Sequence, residues 1–415
     1  MTLVTVPLKR VASIRVSNVD KKSVEGDMPV RLCNYTDVYY RDVIRPDQHF
    51  MEATATGEQI RAFQLRAGDV VITKDSETAG DIGVPAYVEM SDADLVCGYH
   101  LAIVRPAKSV LDGRFLFWSM ASTAVREQLT VAATGVTRYG LRSDSISGTT
   151  ISLPELSEQH RIADGLDAET TRIDALLAKK MSLLGLLRSR LETRAADMTL
   201  AGITVGLNGG GATVPDGWRT PRIRRCLAQV DYGIGEASQP TGRVSVLGMG
   251  NVDDAGRVTG KAGGYVESVA PEMLLRSGDL LFNRTNSLAK VGKVGLVREL
   301  PELTTFASYL VRFRVAPFVR SEYLNYALNT NEVLGLARSA ALPSIGQANL
   351  NPSRYGDLLI ALPPLEEQER IVAELDAHRL RLEELEGRLF RQVALLREHR
   401  QALITAAVNG ELKVA

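Results

Sequence analysis

Two long stretches of the chain carry apolar residues at helical spacing. In the later stretch leucines recur every seven residues, with Glu and Arg on the outer face; they are Leu375, Leu382, Leu389, Leu396 and Leu403. A heptad of this kind is typical of a helix that packs against another helix. The earlier stretch is less regular, and its apolar positions are Ile162, Leu166, Ile173, Leu176, Leu183, Leu184, Leu187 and Leu191. Both stretches are therefore predicted to be long helices.

Each predicted helix has clear start and stop signals. A Leu-Pro pair precedes it, acidic residues fill its first turn, and Gly202 or Gly410 lies near its end. Roughly 40 residues at 1.5 Å each give a rod of about 60 Å. Since neither helix can bury its apolar stripe alone, we expect the two to pair as an antiparallel coiled coil. The residues expected to form the pairing are Leu166, Ile173, Leu187, Leu375, Leu382, Leu389, Leu396 and Leu403. The alternative is that both are ordinary core helices.

The chain contains an internal repeat. LPELSEQHRIADGLD (153–167) and LPPLEEQERIVAELD (362–376) share nine of their fifteen residues at a constant offset of 209. The segments upstream also match, since LRAGDVVITK (65–74) is similar to LRSGDLLFNR (275–284). A repeat of this length indicates that one structural unit occurs twice. The order is a mixed domain followed by a helix, then both again.

The domain preceding each helix is predicted to be α+β. A Gly-Asp turn leads into a short strand in both copies, an alternating strand follows, and short helices are predicted at 113–129 and 321–337. The predicted fold is thus α+β, with two α/β domains alternating with two antiparallel paired helices in a pseudo-twofold internal repeat. The predicted boundaries are 1–152 for the first domain, 153–205 for the first helical spacer, 206–214 for a linker, 215–361 for the second domain and 362–415 for the second spacer.

Composition points to a soluble protein of two to three domains. The 415 residues are 45% hydrophobic, and the 49 basic side chains balance the 49 acidic ones. The three cysteines, Cys33, Cys97 and Cys226, are far apart and odd in number, so neither a disulfide framework nor a zinc site is expected. The N-terminus lacks the apolar core of a signal peptide, and there is no run of about 18 apolar residues. We expect a cytoplasmic protein with no membrane contact.

Catalytic motifs are incomplete or absent. The nearest approach to a phosphate-binding loop, Val291-Gly292-Lys293-Val294, lacks the first glycine and the hydroxyl residue. There is no G-x-S-x-G and no H-E-x-x-H, and the five histidines lack the spacing of metal ligands. The sequence therefore predicts no catalytic residues, no metal site and no cofactor on this chain.

The doubled L-P-x-L-x-E-Q-x-R-I, opening a long helix after an α+β domain, closely resembles the specificity subunits of Type I restriction-modification systems. V-P-D-G-W (214–218) also resembles the start of a target-recognition domain in that family. The resemblance covers nearly the full chain. It implies that each mixed domain recognises one part of a split target in double-stranded DNA, and that the helical spacers bind methyltransferase (M) subunits, expected to be two.

The resemblance also implies which chemistry belongs to other chains. The specificity chain would be non-catalytic and would direct adenine methylation and restriction by the M subunits and the restriction (R) subunits. S-adenosylmethionine, ATP and Mg would be bound by those partners. Two alternatives remain open: a specificity chain whose partner fuses methyltransferase and nuclease, and a coiled-coil scaffold with no role in DNA binding.

Polar, flexible stretches supply the candidate DNA-binding residues. In the first domain they are Lys74, Ser76, Thr137, Arg138, Tyr139 and Arg142, and in the second they are Arg284, Asn286, Lys290, Ser344, Gln347 and Asn349. Arg favours guanine in the major groove, while Asn and Gln favour adenine. Each of them could instead be a solvated loop residue.

The two domains differ in charge. Residues 1–152 carry 17 basic and 18 acidic side chains, a net charge of −1, whereas residues 215–361 carry 17 and 13, a net charge of +4. A nucleic-acid binder usually presents a basic patch. We therefore expect the first domain to bind DNA with help from partners or through a strongly sided surface.

Overall fold

The structure is a computed structural model, and it describes residues 4–201, 214–236, 238–259, 263–344 and 346–412. The predicted linker, 206–214, lies outside the described residues except for residue 214, as does the end of the first predicted spacer, 202–205. The chain folds into two compact units, one made of residues 1–181 with 390–415 and the other of residues 182–389. Among the described residues, no helix is both long and apolar enough to span a membrane.

The first unit combines short strands with short helices and parts of the two long helices. Its strands are β1 (Val4–Pro7), β2 (Ala12–Val16), β3 (Met28–Cys33), β4 (Val43–Ile44), β5 (Met51–Ala55), β6 (Val70–Thr73), β7 (Asp75–Ser76), β8 (Pro85–Val88), β9 (Leu95–Cys97), β10 (Leu101–Pro106), β11 (Tyr139–Gly140) and β12 (Thr150–Leu153). Its helices are α1 (Tyr35–Tyr39), α2 (Gly57–Phe63), α3 (Gly113–Ala121), α4 (Thr123–Ala132), α5 (Ser143–Gly148) and the first part of α6 (Leu156–Leu200).

A five-stranded sheet of order β2-β10-β6-β8-β4 forms the centre of the first unit. The strand predicted after the Gly-Asp turn is β6, and it pairs antiparallel with β10, the predicted alternating strand. Both faces of β6 are buried: Val70 and Ile72 pack with Phe115 of α3, while Val71 packs with Ile103 in a separate cluster. Burial on two faces explains why this strand is a continuous apolar run rather than an alternating one.

The second unit repeats the central part of this arrangement. Its strands are β13 (Leu227–Tyr232), β14 (Val244–Leu247), β15 (Tyr265–Val266), β16 (Leu280–Asn283), β17 (Thr285–Asn286), β18 (Val294–Leu296), β19 (Thr304–Phe306), β20 (Leu310–Val315), β21 (Leu342–Ser344) and β22 (Gln347–Asn349). Its helices are α7 (Ser321–Leu328), α8 (Asn331–Ala340), α9 (Pro352–Gly356), the end of α6 and the first part of α10 (Leu365–Val408). The sheet order is β13-β20-β16-β18, so that β16 and β20 pair as β6 and β10 do.

The repeated Gly-Asp turn has the same structural role in both units. Gly68 has a φ of 93°, which favours glycine, and the next residue, Asp69, is buried. The guanidinium of Arg105 donates to the Asp69 carboxylate, with 2.7 Å between Nε and Oδ1. In the second unit Arg314 donates to Asp279 at the same distance. The turn aspartate therefore links the start of one strand to the neighbouring strand of the sheet.

The long helices run antiparallel in the first unit. Lys180 Nζ of α6 donates to Gln392 Oε1 of α10 at 2.6 Å, and Arg400 Nε lies 3.1 Å from Asp174 Oδ1. The residue number falls along one helix as it rises along the other. The last turns of α10 also join the core of the domain, where Ile404 clusters with Leu166 of α6.

The second unit shows the same antiparallel pairing with the roles of the helices exchanged. Arg188 Nε of α6 donates to Glu386 Oε1 of α10 at 2.6 Å, and Arg194 forms an ion pair with Glu374. Here the start of α10 and the end of α6 lie in the domain core. The predicted antiparallel pair of long helices, following α+β domains, is confirmed.

The residues predicted to pair the helices differ in burial. Leu166 and Leu375 are fully buried, Ile173 and Leu389 are buried, and Leu187, Leu382, Leu396 and Leu403 are half-buried. Leu166 and Leu375 lie near the helix starts and belong to the domain cores. Because two helices enclose a side chain less completely than a domain core does, a regular heptad gives unequal burial along its length.

We predict that Leu375→Ala lowers the free energy of unfolding by about 2–5 kcal/mol, because it leaves a cavity in a closed core. Leu380→Ala is the matched control on the same helix: Leu380 is 65% exposed, and its truncation should change stability by less than about 0.5 kcal/mol. Urea unfolding of the two variants measures the difference. Equal destabilisation would show that the start of α10 is not part of the core.

Candidate nucleic-acid interface

The glutamine of the repeated motif joins the first long helix to its domain. Gln159 is fully buried, and its amide nitrogen donates to the carbonyl oxygens of Val110 and Pro154, both at 2.9 Å. Its amide oxygen accepts the backbone N–H of Asp112 at 2.8 Å. All three bonds meet the segments that lead into α3 and α6. The side chain therefore fixes the start of the long helix against the loop that precedes α3.

The second copy of the motif makes the same contacts. Gln368 is also fully buried and donates to the carbonyl oxygens of Phe318, at 3.1 Å, and Pro363, at 2.9 Å. It accepts the backbone N–H of Arg320 at 2.8 Å, just before α7 begins. A buried amide whose oxygen and nitrogen are both hydrogen-bonded fixes the backbone around it, because the loss of any of these bonds leaves a buried polar group unpaired.

An aspartate two helical turns further on makes a second connection. Trp118 Nε1 of α3 donates to Asp167 Oδ1 at 2.8 Å, and the Tyr326 hydroxyl of α7 donates to Asp376 Oδ1 at 2.7 Å. Burial and the bond to Asp376 raise the pKa of Tyr326. The sequence reasoning did not single out these glutamines and aspartates. The signal was present, since all four belong to the nine identities of the repeat.

Two distant segments of the first domain meet in a short strand pair. Tyr139 of β11 pairs with Ser76 of β7, and Gly140 pairs with Asp75. The backbone N–H of Leu141 donates to the carbonyl oxygen of Lys74 at 2.8 Å. The structure thus brings the predicted residue Tyr139 beside Lys74 and Ser76, which precede it in sequence by more than 60 positions.

A cluster of charged side chains surrounds Asp75 in this loop pair. Lys74 Nζ donates to Asp75 Oδ2 at 2.9 Å, and His100 Nδ1 lies 2.8 Å from the same oxygen. Arg138 Nη2 lies 3.4 Å from His100 Nδ1. Burial opposes ionisation of Asp75, but the bonds from Lys74 and His100 outweigh it and lower the pKa of the carboxyl group. Neither Asp75 nor His100 was among the predicted binding residues.

The remaining predicted residues of the first domain lie on the surface beside this cluster. Thr137 and Arg142 are exposed, and Arg142 Nε lies 3.3 Å from Asp144 Oδ1. An exposed ion pair of this length is worth little in stability, so Arg142 is available to a partner. Lys74 also lies over the ring of Tyr99, with 4.8 Å between Nζ and the ring centroid.

In the second unit the equivalent strands pair through uncharged residues. Thr285 of β17 pairs with Asn349 of β22, and the Thr285 hydroxyl donates to Asn349 Oδ1 at 2.5 Å. Asn286 lies next in β17, and Ser344 of β21 pairs with Gln347 of β22. Four predicted residues, Asn286, Ser344, Gln347 and Asn349, are therefore neighbours on a three-stranded sheet.

Arg284 is the cation of this second loop pair. It occupies the place of Lys74, because its carbonyl oxygen accepts the backbone N–H of Leu350 just as that of Lys74 accepts Leu141. Its guanidinium lies 5.4 Å from the centroid of the Tyr232 ring, and its buried Nε has no hydrogen-bond partner. Across the described ranges it forms no ion pair. Lys290, the other predicted cation, is exposed in the loop that follows.

The three cysteines lie in the interior of the protein. Cys33, Cys97 and Cys226 are buried and unpaired, and burial raises the pKa of each thiol, that of Cys226 to about 11. In the part of the chain that the structure describes, no group of three or more His, Cys, Asp and Glu residues is placed to hold a metal ion. What the loop pairs offer is cations, amides and one ionised carboxylate.

Comparison with known proteins shows which family the chain is similar to. The model of the Type I restriction modification DNA specificity domain matches residues 11–183. The specificity subunit of the Type I restriction enzyme StySPI from Salmonella potsdam is 21% identical over 349 residues, which cover 83% of this chain and 74% of that protein. Residues 11–183 therefore match a Type I restriction modification DNA specificity domain, and most of the chain is similar to Type I specificity subunits. The resemblance inferred from the doubled motif is confirmed.

Two further similarities extend over most of the chain. The EcoKI specificity subunit of Escherichia coli strain K12 is 23% identical over 365 residues, covering 83% of this chain and 75% of that protein. A solved chain of a type I R-M system has the same fold, with a TM-score of 0.74 at 20% identity over 99% of this chain and 98% of that one. These similarities do not support the alternative of a coiled-coil scaffold with no role in DNA binding. The individual DNA-binding residues stay predictions.

We predict that Gln368→Leu destabilises the second unit by about 1–3 kcal/mol, because it leaves two carbonyl oxygens and one N–H unpaired in a buried place. The control is Arg370→Gln, two positions on, which removes exposed ion pairs with Glu367 and Glu374 and should have little effect. Urea unfolding compares the two variants, and hydrogen exchange should be faster at the start of α7 in Gln368→Leu alone. Similar exchange in both variants would contradict this role for Gln368.

Proposed function

We propose that this specificity subunit reads a two-part target in double-stranded DNA and directs adenine methylation and restriction by partner subunits. The observation that carries the two-part reading is the repeated loop pair. In each unit the residues after a central strand pair with a later segment, 75–76 with 139–140 and 285–286 with 348–349. The scaffold is the same in both units and the side chains differ, as separate half-sites require.

The side chains of the loop pairs suit both kinds of DNA contact. Exposed cations such as Arg142 and Lys290 are suited to phosphates, which supply affinity and register. The amides of Asn286 and Gln347 offer the donor and acceptor patterns that distinguish base edges in the major groove. The unpaired guanidinium of Arg284 is suited to a phosphate. These residues are the ones we assign to the interface in the second unit.

Type I specificity subunits work with M and R subunits. We assign two M subunits to this chain, one for each repeat, and place their binding on the long helices. Apolar side chains there are exposed: Leu183 and Leu186 of α6 are 45% and 66% exposed, and Leu380 and Leu395 of α10 are 65% and 63% exposed. Exposed apolar surface of this kind is typical of a protein interface.

The chemistry of the complex is assigned to the partners. S-adenosylmethionine, ATP and Mg would be bound by the M and R subunits, and this chain would contribute recognition without a catalytic group. A partner that fuses methyltransferase and nuclease would require the same recognition from this chain. The identity of the neighbouring gene separates the two arrangements.

We predict that replacing residues 1–152 with the first domain of another specificity subunit changes only one half of the methylated sequence. Each domain carries its own loop pair, so that the second half should be read as before. Genome-wide mapping of methylated adenines measures the motif. A motif altered in both halves, or in neither, would contradict separate reading.

Two strains provide the controls for this exchange. A strain without the gene should lose the methylated motif altogether, and that result tests the proposed function itself. A strain in which residues 215–361 are exchanged instead should keep the first half and change the second. Methylation that persists without the gene would overturn the proposal.

We also predict that Arg284→Met makes DNA binding by the assembled complex less dependent on salt, because an unpaired cation is lost. The logarithmic slope should fall by about 1, as for one neutralised phosphate. Lys74→Met is the matched control: Asp75 already neutralises Lys74, so the slope should change less. Titrations of duplex DNA followed by fluorescence anisotropy at several salt concentrations compare them. Equal changes in slope would show that the two cations are equivalent.

A further inference from the structure

The carboxylate of Asp75 is engaged on one side only. Lys74 and His100 both lie against Oδ2, whereas Oδ1 has no hydrogen-bond donor within the described ranges. The residue opposite is Gly140, where a Cβ atom would lie 3.4 Å from Oδ1. The side chain of Asp75 remains 18% exposed. One oxygen is therefore held in place and the other is open to a ligand.

The charge of this group restricts what the ligand can be. The low pKa of the Asp75 carboxyl group keeps it ionised near neutral pH. A carboxylate and a phosphate repel each other, so a DNA backbone contact at Oδ1 would be unfavourable. The donors that DNA presents in its major groove are the amino groups of cytosine N4 and adenine N6. An open carboxylate on a DNA-reading loop therefore fits a base edge.

The neighbouring cations favour one of the two amino groups. Arg138 lies beside His100, and its guanidinium fork matches the two acceptors of guanine, O6 and N7. Guanine is the base that pairs with cytosine, and its O6 lies next to cytosine N4 in the groove. Thymine, the partner of adenine, offers a single acceptor there. A carboxylate beside an arginine is thus complementary to a C·G pair.

We propose that Asp75 is a specificity-determining residue that accepts a hydrogen bond from cytosine N4 in the first half of the DNA target. Arg138 donates to the paired guanine, while Lys74 and His100 hold the carboxylate in position. The inference rests on the proposed function, since it assumes that this loop pair faces DNA. It adds the base pair that the first domain reads and the atom that reads it.

The second unit provides an internal comparison. Thr285 takes the place of Asp75, and Asn349 takes that of Gly140, as the matching strand pairs show. The hydroxyl of Thr285 donates to the amide oxygen of Asn349, so that these two uncharged side chains are hydrogen-bonded to each other. No carboxylate is offered there. Reading of cytosine by a carboxylate at this position is therefore specific to the first half of the target.

The first test uses the complete complex with its M subunits and the variant Asp75→Asn. We expect the wild-type motif to contain a fixed C·G pair in its first half, and the variant to lose preference at that pair by about tenfold or more. Every other position of the motif, including the whole second half, should be unchanged. Asp47→Asn, which alters an exposed carboxylate of the same domain, should leave the motif as it is.

The second test begins with a change in the DNA, and its wild-type measurement does not depend on how well a variant folds. Duplexes that carry the motif are made with 2-pyrimidinone, which lacks the amino group, in place of the cytosine. Wild-type complex should bind this duplex about tenfold more weakly, whereas Asp75→Asn should show little further loss. The protein and DNA changes then act through one contact.

The outcomes separate this inference from the proposed function. A first half without a fixed C·G pair, an unchanged motif in Asp75→Asn, or an equal penalty from 2-pyrimidinone in both proteins would overturn the role of Asp75. In each of those cases methylation would still depend on the gene. Methylation that is independent of the gene would instead overturn the proposed function.

Discussion

The buried glutamine of the repeated motif is the contact on which the rest of each unit depends. Gln159 and Gln368 each bond to three backbone groups, and so hold the start of a long helix against the loop before α3 or α7. Asp167 and Asp376 fix the same face two turns later. These bonds therefore fix each long helix against the core of its own unit.

Beyond these contacts, the two units share their scaffold and differ in their loops. The Gly-Asp turns, their arginine partners and the central strand pairs are the same in both units, since they determine the sheet. The loop residues that follow differ: Lys74 and Asp75 correspond to Arg284 and Thr285. Geometry is kept while chemistry changes, which is the arrangement expected of a rigid scaffold that carries variable binding loops.

The sequence predicted the elements whose signals are local and periodic. The long helices, β6 and β16, and the short helices after β10 and β20 follow from apolar spacing and turn residues. The pairing of β7 with β11 could not be predicted, because strands of two residues have no periodicity and join segments more than 60 residues apart. His100 was not predicted to lie in the loop pair for a related reason. Judged by spacing alone it resembles no ligand set, and only the fold places it against Asp75.

The balance of charge in the chain has a physical consequence for specificity. Lys74 and Asp75 neutralise each other, while Arg284 has no ion pair among the described residues. Affinity from phosphate contacts is independent of sequence, so a strongly basic reader would bind all DNA tightly. A domain of net charge −1 gains little from that contribution and depends more on matched base contacts. Under the proposed function both domains read a half of the target, and the more basic second domain contributes more of the affinity that does not depend on sequence.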